Sequence, residues 1–196
     1  MPQLREMVAT NRLPLWFSFL AVGVASAGWA QSTSPPPRGT IVLAAPVRDS
    51  INAIFVRFNQ HWDELGQTNT LTQMLGTGHP TQHEYLGCLI GHAHGDTVWV
   101  TSWVPAEHLR QLQFAVAGDC HHVQRLVGTW HTHPFRGDPA DSKKPLKEPT
   151  LSDVDLSTFA ASHDRVMLAA WDRDSIDAAA RVDGGSVVHP ATVVVR

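Results

Sequence analysis

The chain has 196 residues, 43% of them hydrophobic and 17% charged. That length holds one domain with a substantial core and is too short for two ordinary ones, and the composition excludes a long disordered polymer. A formal charge of −3 argues against binding nucleic acid by phosphate neutralisation, and two cysteines exclude a disulfide-dense miniprotein or a cysteine-only zinc site.

Twelve histidines stand against a single tyrosine, which directs attention to metal sites. The chain begins with Arg5 and Arg12 ahead of an apolar run, Leu13 to Ala25, followed by the small residues Ser26, Ala27, Gly28 and Ala30. A basic start, an apolar centre and a small-residue exit predict a secretory signal peptide over residues 1–30, cut after Ala30 or after Ala27. The run is shorter than the roughly 20 residues of a spanning helix, so no stable membrane span is expected once the signal is removed. Residues 31–46 read as a Pro/Ser-rich tether, with Pro35-Pro36-Pro37, leading into a first strand at 40–47. Residues 47–196 are the expected domain. An exported location is oxidising, so Cys88 and Cys120 are free to pair or to lie as two buried thiols.

Asp49 and Ser50 offer caps for an amphipathic helix over about 50–65, with Ile51, Ile54, Phe55, Phe58, Trp62 and Leu65 at helical spacing. Residues 66–79 are polar and contain glycine. Residues 84–103 read as a hairpin turning at His94-Gly95-Asp96, and a short helix is expected around 106–113. Val123 to Trp130 is a strand running into His131. Residues 134–149, rich in Pro, Asp, Gly and Lys, form a loop. Ser152 opens a helix with Asp153 and Asp155 in its first turn, where carboxylates suit the helix dipole. Val166 to Trp171 is a buried strand, and 178–183 with 186–195 form a final hairpin around Gly184-Gly185. Strands and helices are mixed, long helices are scarce and no internal repeat is seen, which predicts an α/β or α+β single domain.

The segment that carries chemistry is Trp130-His131-Thr132-His133-Pro134. Side chains at i and i+2 of a strand share a face, so His131 and His133 can grip one divalent cation. Asp155, on the same side of its helix as Ser152, supplies a third ligand. Two histidines and one carboxylate leave a fourth tetrahedral position for water, the open pattern of a catalytic zinc site. Glu84 is the candidate general base, because a charge starting an otherwise apolar strand is out of place unless it faces a pocket. Nothing local places that strand beside His131. His92 and His94 form a second HxH pair, read as a solvated turn. His121 and His122 are read as surface, Asp153 as a solvated charge near the helix cap, and Trp99, Trp103, Trp130 and Trp171 as core.

Glu84 before Gly87-Cys88-Leu89-Ile90-Gly91, then His131-x-His133-Pro134, then Ser152-x-x-Asp155, resembles the JAMM/MPN+ zinc metalloprotease family over roughly residues 45–195. The resemblance implies a cytidine-deaminase-like domain with a mixed, mostly antiparallel sheet flanked by helices. It implies zinc on His131, His133 and Asp155, proton transfer by Glu84, and Ser152 steadying the oxyanion. Its substrates are peptide, isopeptide-linked or protein amides. Two features depart from the family: Gly87-Cys88 reverses the usual order, and residues 135–151, with Lys143, Lys144 and Lys147, make a longer loop that is a candidate flap. The rival readings are a non-catalytic MPN-like scaffold or binding module, and an amide hydrolase acting on cell-wall peptides.

Overall fold

The computed structural model describes residues 38–59, 83–112, 114–137 and 145–196. The expected signal peptide and the start of the tether, the polar stretch 66–79 and the loop residues Lys143 and Lys144 lie outside them. In chain order the described elements are β1 (Thr40–Leu43), α1 (Ala45–Asn59), β2 (Leu86–His94), β3 (Thr97–Pro105), β4 (Glu107–Leu112), β5 (Ala115–Asp119), β6 (Leu126–Thr132), β7 (Arg136–Gly137), β8 (Pro145–Leu146), α2 (Asp153–Ala161), β9 (Val166–Asp172), β10 (Ser175–Arg181), β11 (Val188–Pro190) and β12 (Thr192–Val195).

Eight strands form one sheet in the order β11-β10-β9-β6-β2-β3-β1-β12. Its outermost strands, β11 and β12, are separated in sequence by Ala191 alone. The sheet therefore curls until its edges nearly meet, as a barrel-like wall. This corrects the expected helix-flanked α/β fold. A curled sheet covers most of its own inner face and needs one helix to fill it, whereas a flat sheet needs helical layers on both sides. That helix is α1, whose Val47, Ile51 and Phe55 are buried with Ile41, Leu43, Leu89, Val98, Val100, Trp130, Val166 and Leu168. Tyr85 and Trp103 pack on Trp130, Trp103 edge-on to both other rings, with ring centroids 4.9–6.0 Å apart.

Three local expectations also change. The helix expected at 106–113 is strand β4, because β5 offers it an antiparallel partner from Glu107↔Asp119 to Leu112↔Ala115. The final hairpin is split: β11 pairs with β10, but β12 runs parallel to β1 at the opposite edge. Helix α1 begins at Ala45, with Pro46 in its first turn, where a missing N–H costs nothing. Ser50 is therefore inside the helix and not a cap; its hydroxyl donates to the Val47 carbonyl and accepts from Trp103 Nε1 at 2.6 Å.

Cys88 and Cys120 are joined as a disulfide with Cα atoms 5.6 Å apart, which settles the alternative left open by the sequence. The bond ties the base of the β4–β5 hairpin to β2. Among the described residues no helix is long and apolar enough to cross a membrane.

Candidate metal centre

His131 is on β6 with His133 just past its end, and Glu84 lies two residues before β2. The strands are antiparallel, with Leu86 opposite His131 and Cys88 opposite Thr129. Tyr85 and Thr132 extend the pairing past the end of β2. The Thr132 N–H donates to the Tyr85 carbonyl at 3.1 Å, and the Tyr85 N–H donates to Thr132 Oγ1 at 2.9 Å. In that register Glu84 stands opposite His133. Side-chain alternation then puts Glu84, Leu86, Thr129, His131 and His133 on one face, and all five line a cleft of about 520 Å³. This is the adjacency that spacing left open.

The backbone of Glu84 is held on both sides. Its N–H donates to the Leu112 carbonyl at 3.0 Å, and its carbonyl accepts from Gln111 Nε2 at 3.0 Å. The β4–β5 hairpin thus fixes where the acid sits, and β5 forms the opposite wall of the cleft with Ala115, Val116, Ala117 and Gly118.

Asp155 comes from α2. The helix lies on the same sheet face as the histidines because Phe159, fully buried, packs with Met167, Ala169 and Ala179. The alanines let the helix approach closely. Ser152 caps it: Ser152 Oγ accepts from the Asp155 N–H at 3.2 Å, while Asp155 Oδ2 accepts from the Ser152 N–H at 2.8 Å and from Ser152 Oγ at 2.7 Å. At the other end Arg181, 7% exposed, donates from Nη2 to the carbonyls of Phe159, Ala160 and Ser162 at 2.7, 2.9 and 3.0 Å. A helix C-terminus leaves its last carbonyls without backbone partners; here Arg181 serves those of Ala160 and Ser162 and joins the Ser162 N–H and hydroxyl at that of Phe159.

The ligand groups of the three residues converge. His131 Nε2 lies 3.0 Å from His133 Nε2 and 3.3 Å from Asp155 Oδ1, and His133 Nε2 lies 3.2 Å from Asp155 Oδ2. Donors on a tetrahedral ion with bonds of about 2.0–2.1 Å sit roughly 3.3–3.4 Å from one another. The two imidazoles and the Asp155 carboxylate, each histidine against a different oxygen, are spaced near these values, and the His131–His133–Asp155 group can hold a metal ion. The tautomer of His133 agrees. Its Nδ1 lies 3.2 Å from the Glu148 carbonyl, which can only accept, so Nδ1 keeps its proton and Nε2 is the nitrogen that would give up its own to face a metal. Glu148 is kept there by Lys147, which pairs with Asp172 and lies over the Phe135 ring at 5.4 Å.

Without metal the group behaves as a buried ion pair. Burial works to raise the Asp155 carboxyl, but hydrogen bonds from His131, His133 and Ser152 hold it well below the usual carboxylate range. Burial works to lower His133, yet the hydrogen bond with Asp155, the Glu148 carbonyl and the charges of Asp155 and Glu84 together raise it.

All five expected site residues, Glu84, His131, His133, Ser152 and Asp155, line the one cleft. Ser152 differs from expectation in detail, because its hydroxyl proton is already given to Asp155. Asp153 has no place in the group. His92 is stacked on Trp99 at 5.1 Å beside the Gly95 turn, and His122 lies 3.6 Å from Glu107 on the surface; neither joins a metal cluster among the described residues. Sequence reasoning missed Gln111, Glu148, Arg181 and Asp164. Arg181 had a signal of the same kind as Glu84, a charge ending the apolar run Ala178-Ala179-Ala180. A backbone carbonyl such as that of Glu148 leaves no trace in sequence. No protein-family model matches the chain, and no curated protein matches it.

Proposed function

We propose that this chain is a zinc-dependent hydrolase of peptide or isopeptide amide bonds, exported by residues 1–30, with a site of the JAMM type. The observation that carries the reading is the convergence of two imidazoles and a carboxylate, with contacts of 3.0–3.3 Å, on a cleft that also contains Glu84. Two imidazoles and a carboxylate suit zinc, and a site open to a cleft suits catalysis better than a closed structural site does. Zinc held by His131, His133 and Asp155 would acidify a water and polarise the substrate carbonyl.

The chain's own residues supply the rest. Glu84, 9% exposed and opposite His133, takes the proton of the attacking water on its carboxylate and returns it to the leaving amine nitrogen. Its pinned backbone limits the motion that this transfer must tolerate. Ser152 orients Asp155 in the resting arrangement; a turn of its hydroxyl toward the cleft lets it donate to the oxygen of the attacked carbonyl. The apolar β5 wall excludes water from an extended substrate. The open cleft favours an enzyme over a non-catalytic binding module, and export favours extracellular or cell-wall peptides as substrates.

A peptide-library cleavage screen with metal analysis tests this reading. Glu84→Gln should keep about one zinc per chain and lose hydrolysis by roughly 10²–10⁴-fold. Undiminished hydrolysis by Glu84→Gln, or by the zinc-free chain, would falsify it.

A further inference from the structure

The cleft continues beyond the metal-binding group. Its lining includes Thr129, two residues before His131 on the same face of β6, and Thr158, Ser162 and Asp164, which follow Asp155 along and past α2. Apolar lining comes from Leu86 and Met167. Asp164 is held in place: its N–H donates to Ser162 Oγ at 3.1 Å, and its carboxylate accepts a hydrogen bond from the Thr129 side chain.

A part-buried carboxylate ordinarily has a cation against it. Two cations lie near Asp164, and the donors of both go elsewhere: Arg165, the next residue, turns its Nη2 to the Gly95 carbonyl at 3.4 Å, and Arg181 is spent on backbone carbonyls. Nε donates to the backbone carbonyl of Asp164 at 3.0 Å, Nη1 to Ser186 at 2.5 Å, and Nη2 to the three carbonyls ending α2. Among the described residues no lysine or arginine makes an ion pair with the Asp164 carboxylate. Burial accordingly raises its carboxyl above the ordinary value, against the lowering fields of Arg181, His121 and His163.

We propose that Asp164, with Thr129, Thr158 and Ser162, is a subsite for a primary ammonium group of the substrate. The proposal rests on the hydrolase reading of the same cleft and names its substrate class. A primary ammonium is compact and carries three donors, which suits a carboxylate ringed by hydroxyl oxygens; a planar guanidinium fork suits it less. The Leu86–Met167 stretch suits the methylenes of a lysine-like side chain lying along it. Thr129 is two residues from His131 and Asp164 one hydrogen bond further, so the ammonium sits about 7–10 Å from the attacked carbonyl. That distance matches two to three extended residues, or one long side chain.

The test is a binding titration, which does not require turnover. Blocked hexapeptides with one lysine at successive positions, their norleucine twins, and lysine-free peptides with a free amino terminus are titrated into the zinc-loaded Glu84→Gln chain. The same series is run on that chain with Asp164→Asn or Thr129→Val. A lysine peptide should bind at least about tenfold tighter than its norleucine twin, and the preference should fall below about twofold in Asp164→Asn and shrink in Thr129→Val. If the free-terminus peptides carry the Asp164-dependent preference instead, the ammonium is an α-amino group and the subsite stands. Equal binding of the twins, or a preference that survives Asp164→Asn, overturns it. Failure of the chain to take up zinc sinks the hydrolase reading alone, because the peptide comparison is repeated on the metal-free chain.

Discussion

Arg181→Met separates the scaffold of α2 from the chemistry of Asp155. The substitution keeps the apolar stem over Phe159, whose ring lies 5.1 Å from the guanidinium carbon, and removes the charged head. Four carbonyls lose their donor, those of Ala160, Ser162, Asp164 and Ser186, while that of Phe159 keeps the Ser162 N–H and hydroxyl. Each buried unpaired acceptor costs about 1–3 kcal/mol, and neighbouring losses are not additive because water enters one gap and serves several. Removing the desolvated charge returns part of that cost. The net loss is about 3–5 kcal/mol. At a urea dependence of about 2 kcal/mol per molar, the unfolding midpoint falls by about 2 M. Helix α2 then sits less firmly against Met167 and Ala169, and zinc affinity falls by about 10–100-fold although no ligand has changed. Urea unfolding and calorimetric zinc titration measure the two effects. A midpoint shift under about 0.5 M with zinc affinity unaltered would refute the assignment of Arg181 as the anchor of α2.

The metal-free and zinc-loaded chains should respond oppositely to pH. His133 is raised above 6.5, so its pairing with Asp155 stabilises the metal-free fold below pH 6.5 and that contribution is lost as pH rises through the folded value. Asp155 is lowered below 3.8, so its contribution is present above 3.8 and lost as pH falls further. Zinc needs His133 neutral, and the gap between zinc-loaded and metal-free melting temperatures should widen from pH 6 to 8; parallel curves would contradict this. Replacing Cys88 and Cys120 by serine opens a loop of sequence separation 32 and should cost about 3–4 kcal/mol in thermal unfolding, while leaving zinc stoichiometry unchanged. Ser152→Ala should lower stability by about 1 kcal/mol through the lost cap, and zinc affinity by about tenfold through the lost bond to Asp155, both read by titration of the refolded variant. Gly91→Ala would place a Cβ 1.8 Å from the Trp99 carbonyl oxygen at the β2 bulge, so the chain should fail to accumulate in soluble form.

The parts of the site legible in the sequence are those fixed by local geometry. A two-residue repeat on a strand put His131 and His133 on one face, and a three-residue step on a helix put Asp155 beside Ser152. The meeting of these pieces was not legible from spacing, because it depends on β2 pairing with β6 and on α2 packing over Met167 and Ala169, both long-range contacts. The error at 106–113 has the same origin. Glu107-His108-Leu109-Arg110-Gln111-Leu112 contains good helix formers, but a partner strand at 115–119 outweighs propensity worth a few tenths of a kcal/mol per residue. Curling of the sheet was hidden as well. The chain reads as a hairpin at 178–195, and only the placement of β11 and β12 on opposite edges around Ala191 turns that segment into the seam of the sheet.

Calorimetric titration of zinc into the purified metal-free chain, beside the His133→Ala and Asp155→Ala variants, addresses the metal centre without reference to any substrate. The account predicts one zinc per chain in the unsubstituted protein, release of a proton on binding at pH 6, and loss of that isotherm in both variants. An isotherm of equal stoichiometry and affinity in the variants would place the metal elsewhere and contradict it.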